Sequence, residues 1–282
     1  MAAEKRASVD YTRTFSYVDV DAILTDEFGE AWTDYRRQYL ASINYDKTGD
    51  IPAAPLTLDL ELVNKCNLRC TMCFGDHHKG TRHSLDLDQI RATIHEFVVS
   101  GGKCIQVGMG SELLLYENVI DVLRIAREEG VLDIWVFTNG VLMDQAFLYA
   151  LVKYRVARLN VSFDAATRET YHKVRGQDHF DLLERNIDTL IATKAQANST
   201  LPVIRLTFVV QQQNLHEVDM FVERWKNKVG YIDFQRYVSY EGLKDLPWGS
   251  QSIDAPSVPS PGNSYRSEEH TSELQSRFGI SY

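Results

Sequence analysis

Between residues 56 and 240, short runs rich in β-branched and aromatic residues alternate with amphipathic helical stripes, and this alternation limits the fold more than any other property of the chain. The strand-like runs cover 57–63, 104–107, 132–138, 158–163, 203–210 and 231–235. Between them, Ile90, Ile94, Phe97 and Val98 recur at a helical spacing that puts them on one face. Val119, Val122, Leu123 and Ala126 form a second stripe, and Leu183, Ile187, Leu190 and Ile191 a third. Asp86 and Gln89 stand where a reciprocal N-terminal cap is expected, and Gly101 follows as a stop. Such repetition implies an α/β fold whose parallel strands are joined by right-handed crossovers, with ligands at the carboxyl ends of the strands. Periodicity leaves open whether the sheet of six strands is flat or curled.

On either side of this region the pattern changes. Residues 1–55 form a helical leader, in which Phe28, Trp32, Tyr35 and Tyr39 predict one amphipathic helix over 26–42 packed on the outside of the 56–240 core. Residues 48–55, with Gly49, Pro52 and Pro55, end that helix. Residues 241–265 are rich in Ser, Pro and Gly and read as an irregular tail. Within the last stretch, 266–276 (RSEEHTSELQS) spells the in-frame translation of a widely used sequencing-adapter oligonucleotide. At least 266–282 is therefore expected to be artefactual, with the natural chain continuing differently.

The 282 residues suit one large domain or two ordinary ones at about 150 residues each. A net charge of −9 argues against a broad grip on nucleic acid or on an anionic membrane. No run reaches the roughly 18 apolar residues of a spanning helix, and the first ten residues lack the apolar core of a secretory signal, so a cytoplasmic location is expected.

The four cysteines are too few for a disulfide framework, and three of them, Cys66, Cys70 and Cys73, crowd into VNKCNLRCTMCFG directly after the first strand. Three thiolates on one loop with these short spacers can reach different irons of a cubic 4Fe-4S cluster and leave one iron open. Two other readings fit the spacing. A zinc-stabilised binding module would need His77, His78 or His83 as a fourth ligand. A non-catalytic iron–sulfur protein for electron transfer or sensing would need a further ligand for full coordination. Cys104 opens a strand and reads as a small core residue.

The cysteine loop, placed after the first strand of a repeating β/α domain, resembles the radical S-adenosylmethionine (radical SAM) superfamily over 56–240. The resemblance implies a partial barrel of six β/α units, a 4Fe-4S cluster on Cys66, Cys70 and Cys73, and SAM bound to the open iron. It further implies reductive cleavage of SAM to a 5′-deoxyadenosyl radical that abstracts hydrogen from substrate, with an external electron donor. By the same resemblance Met72 lies against the adenine. Gly110, Ser111 and Glu112 correspond to a Gly-Gly-Glu segment that receives the SAM ammonium, with Ser in place of the middle Gly. Asn139 sits in a recurrent turn, Ser162 and Asp164 approach the ribose, and Arg175 partners the SAM carboxylate. The leader, ELVNKCNLRCTMC and FDAATRETYHKVRG look most like members that carry a C-terminal SPASM or twitch extension, many of which act on peptides or proteins. The substrate itself, peptide, protein or small molecule, is not legible.

Overall fold

The computed structural model describes residues 13–44, 49, 51–73 and 83–237. Its strands are β1 (Arg13–Ser16), β2 (Thr57–Leu60), β3 (Cys104–Val107), β4 (Asp133–Thr138), β5 (Arg158–Ser162), β6 (Val203–Val210) and β7 (Tyr231–Arg236). Its helices are α1 (Val20–Phe28), α2 (Glu30–Ile43), α3 (Leu87–Val99), α4 (Val119–Glu128), α5 (Gln145–Lys153), α6 (Arg168–Arg175), α7 (Phe180–Gln196) and α8 (Val218–Trp225). The strands form one sheet in the order β1-β7-β6-β5-β4-β3-β2, parallel from β2 to β7, with β1 antiparallel on β7 through pairs such as Thr14↔Asp233. The sheet is not closed, since β1 and β2 remain its two edges.

All six strands expected from the sequence are present. The seventh, β1, comes from the leader and is only the four residues RTFS, too short for a period of two to register. The leader also holds two helices where one was expected. Gly29, at φ +64°, ends α1 and starts α2, a backbone turn that a residue with a Cβ rarely adopts. Trp32 and Tyr35 still pack edge to face, with ring centroids 5.3 Å apart, and they bury with Leu24 against Leu56, Cys104, Ala157 and Val203. Those last residues lie at or just before the first positions of β2, β3, β5 and β6. The leader therefore covers the N-terminal end of the sheet, opposite the end where ligands are expected.

The register sorts the two faces of the sheet. Ile105, Ile134, Leu159, Leu206 and Ile232 share one face and are fully or nearly fully buried in the core with helix residues such as Ile94, Leu123 and Ile187. Each such side chain contributes about 1.5–3 kcal/mol by leaving water. Helix α3 shows how the sequence builds this layer: the Asp86 carboxylate accepts from the Asp88 and Gln89 amides at 3.0 and 3.2 Å, and Ile90, Ile94 and Phe97 form its buried stripe.

The opposite, concave face is polar. Near its floor, buried Arg158 pairs with Asp133 and buried Arg205 with Asp233, while Thr207 donates to Asn160 Oδ1 at 2.5 Å. Trp135 lies 3.8 Å from the Arg158 guanidinium and 5.4 Å from that of Arg205. Buried charge is tolerable only when paired in this way. Towards the carboxyl ends of the strands Gln106, Phe137, Ser162, Val209 and Gln235 are half-buried and Asp59 is exposed, so the trough opens there. Among the described residues no helix is long and apolar enough to cross a membrane.

Candidate functional site

The loop carrying Cys66, Cys70 and Cys73 leaves the carboxyl end of β2 and is held from three sides. Leu62 and Leu68 anchor it in the core. From α6, the Val174 carbonyl accepts the Thr71 amide at 2.9 Å, and just beyond that helix the Gln177 side chain donates to the Asn67 carbonyl at 2.8 Å. From the end of β3, the Glu112 amide donates to the Lys65 carbonyl at 3.0 Å. From the end of β4, Asn139 Nδ2 donates to Asn67 Oδ1 at 2.7 Å.

These contacts bring N–H donors to the sulfurs. Cys66 Sγ accepts from the Leu68 amide at 3.4 Å and lies 3.8 Å from Asn139 Nδ2. Cys70 Sγ lies 3.3 Å from Arg175 Nη1. Cys66 and Cys70 are half-buried and Cys73 is exposed. Burial pushes the Cys66 thiol up, partly offset by the Leu68 amide, and the charges of Glu112, Cys70 and Cys73 add to the rise. Metal ligation at Cys66 would therefore release a proton. Cys104 is buried at the far, N-terminal end of the sheet beside Tyr35, where burial raises its thiol further.

The remaining residues singled out from the sequence lie at the same, carboxyl end of the sheet. Glu112 is 1% exposed and its carboxylate is shared out, Oε1 accepting from Thr138 Oγ1 at 2.7 Å and from the Leu114 amide at 3.2 Å, Oε2 from the Asn139 amide at 2.8 Å. Burial raises its carboxyl, and those three donors pull it back. Gly110 and Ser111 point their amide and hydroxyl at Glu61, at 2.6 and 2.7 Å. The Ser that departs from the family pattern thus has a partner of its own. Ser162 is half-buried at the end of β5, and Met72 is half-buried in the cysteine loop. Asp164, wholly buried at φ +66°, accepts the Val209 amide at 2.6 Å and pairs with Arg175 at 2.6 Å. Burial works against the Arg175 charge, but Asp164 and Cys70 more than restore it.

Two contributors escaped sequence reading. Glu61 continues the alternation of Asp59 past the end of β2, and Asn67 is a loop residue whose partner is 72 positions away. Only the period-two continuation from Asp59 could have pointed to Glu61; nothing local marks Asn67. His77 and His78, the alternative zinc ligands, lie outside the described residues; His83 is described and exposed, its amide bonded to Asn64 Oδ1 at 2.7 Å.

Among the described residues no three His, Cys, Asp or Glu side chains converge on a single ion-sized position. Three thiols on one loop, two of them approached by N–H donors, fit a larger inorganic group whose metal atoms are spread apart.

Relatives include a probable GTP 3′,8-cyclase of Saccharolobus islandicus, 28% identical over 60% of this chain and 53% of the relative. A GTP 3′,8-cyclase of Chlorobaculum tepidum is 30% identical over 58% of this chain and 48% of the relative. The chain thus spans about half the length of the curated relatives it matches. Among solved structures, Streptococcus suis SuiB bound to S-adenosylmethionine superposes with a TM-score of 0.57 at 15% identity, over 75% of this chain and 45% of that one. Native anSMEcpe with bound AdoMet gives 0.54 at 17% identity, over 70% and 56%. Proteins of the family bind a 4Fe-4S cluster and SAM. The profile of the radical SAM superfamily matches residues 60–224, which include the cysteine loop and every strand from β3 to β6, and the chain therefore belongs to that superfamily as an enzyme of the radical SAM class.

Proposed function

We propose that Cys66, Cys70 and Cys73 hold a 4Fe-4S cluster, that SAM binds across the carboxyl ends of β3 to β6, and that the enzyme abstracts hydrogen from a peptide or protein substrate. The observation that carries this reading is the three-sided clamp on the cysteine loop at the open end of the trough. When bound and reduced, the cluster supplies the electron that splits SAM into methionine and a 5′-deoxyadenosyl radical. This chain's own residues do the rest: Arg175 and Asn139 face the sulfurs, while Gly110, Ser111, Ser162 and Met72 edge the space available to SAM.

The charge of the trough supports a peptide rather than a nucleotide. Among the described residues its open end carries exposed Asp59 and Glu61, and the arginines on its floor are already ion-paired. The solved neighbours include SuiB bound to its precursor peptide and anSMEcpe bound to a peptide, in keeping with the same substrate class, and the SPASM-like affiliation rests on the sequence motifs alone.

Anaerobic reconstitution, reduction with dithionite in the presence of SAM, and chromatography test the proposal. The expected product is 5′-deoxyadenosine from a brown protein holding about four irons per chain. A protein that takes up the iron and leaves SAM intact would overturn the catalytic part and favour an electron-transfer or sensing role.

A further inference from the structure

Arg175 is the last residue of α6, 6% exposed, and its guanidinium lies between an acid and a thiol. Nη2 is 2.6 Å from Asp164 Oδ2, Nη1 is 3.3 Å from Cys70 Sγ, and Nε is 3.4 Å from the Phe163 carbonyl. Asp164 is fixed from behind. It is fully buried, its Oδ1 accepts the Val209 amide at 2.6 Å, and its own carbonyl accepts Asn214 Nδ2 at 3.0 Å. With Arg175 and Asp164 both out of water, the fork of Arg175 has one well-defined direction, and that direction ends on the sulfur of the half-buried Cys70.

Hydrogen bonds to ligating sulfurs and the charge beside them are among the features that set the potential of an iron–sulfur cluster. A cationic donor on the sulfur draws electron density off the iron and favours the reduced state. A carboxylate behind the cation returns part of that charge. The interior position strengthens both effects, because little solvent screens them.

We propose that Arg175 is a positioning residue that donates to the Cys70 sulfur and sets the reduction potential of the bound cluster, with Asp164 as the counterweight that limits how far the potential rises. The inference rests on the cluster assignment made above. It differs from a purely structural role in one respect: removing the two halves of the pair shifts the potential in opposite directions. Arg175→Met takes away a positive charge and a donor, so the potential falls. Asp164→Asn keeps the acceptor for Val209 and tolerates the left-handed backbone, but leaves the Arg175 charge uncompensated, so the potential rises. Arg175→Lys keeps the charge and lies closer to the natural protein than Arg175→Met.

The experiment is an EPR-monitored redox titration of the reconstituted full chain and these three variants, with iron per chain measured on each. The expected result is at least a tenfold change in the reduction equilibrium for Arg175→Met and Asp164→Asn, of opposite sign, equivalent to about 59 mV for one electron. Potentials that do not move, or that move the same way in both, overturn the inference. Loss of iron from both variants also overturns it, because the pair would then serve assembly alone. A wild-type chain that takes up no iron overturns the underlying cluster assignment, and that result is read before any variant is made.

Discussion

The carbonyl oxygen of Arg69 lies 2.7 Å from the point a Cβ on Gly176 would occupy, so the end of α6 and the cysteine loop meet backbone to backbone. Gly176 also sits at φ +76°, as the left-handed C-cap of α6. Both facts forbid a side chain. Gly176→Ala is expected to cost about 1–2 kcal/mol from the backbone conformation alone, and to push the loop away from Val174 and Arg175. Urea unfolding and iron per chain on the reconstituted protein check this. A variant that keeps both its stability and its iron would show that the contact is slack.

The cysteines divide into three that serve the loop and one that serves the core. Alanine at Cys66, Cys70 or Cys73 is expected to abolish iron binding, because each removes one of the three thiolates the loop offers. Cys104 is buried among the leader contacts at the opposite end of the sheet. Cys104→Ala should retain the iron and lose about 1 kcal/mol, the cost of one buried heavy atom. Iron analysis beside thermal unfolding separates the two classes, and iron loss in Cys104→Ala would contradict the division.

What could be read in the sequence was what is local. The six parallel strands announced themselves through apolar runs broken by helical stripes, and the cysteine spacing marked the loop that the fold clamps at the carboxyl end of β2. β1 was invisible because its meaning lies in a partner more than 200 positions away, as the bond of 2.7 Å from Thr14 to Asp233 shows. The split of the leader helix turned on the backbone of one glycine, which a stripe of aromatic residues outweighs in any periodicity count. At the site, residue types were legible and their partners were not: Glu112 reads as a carboxylate for an ammonium, whereas the fold surrounds it with three donors of its own. The hydroxyl of Ser111 found its purpose only once Glu61 stood beside it.

Those three donors make Glu112 a sensitive test of the join between β3 and β4. Glutamine has one carbonyl oxygen and one amide nitrogen, so Glu112→Gln must turn an N–H₂ towards either the Asn139 amide or the Leu114 amide. One buried donor is then left without an acceptor, an expected loss of about 1–3 kcal/mol. Urea unfolding of the metal-free variant measures it directly, independent of any role towards SAM. Wild-type stability in Glu112→Gln would mean that the carboxylate does not hold the two strand ends together.

A last expectation concerns pH. Lys194 on α7 reaches the Pro202 carbonyl at 2.6 Å, and burial lowers its ammonium from 10.5 to about 8. Below about 8 both folded and unfolded chains carry the proton, and the folded state bears the full cost of holding a charge away from water. Between about 8 and 10.5 the unfolded chain binds a proton that the folded chain has released, so this group adds stability as the pH rises through that window. Lys194→Met removes the group from both states. The stability of the wild type relative to Lys194→Met should therefore climb by about 1–3 kcal/mol between neutral pH and pH ~10, allowing for partial solvent screening. Unfolding curves collected for the two proteins at matched pH values give this difference with the other titrating groups cancelled, and parallel stability profiles would show that Lys194 keeps its proton in the folded chain.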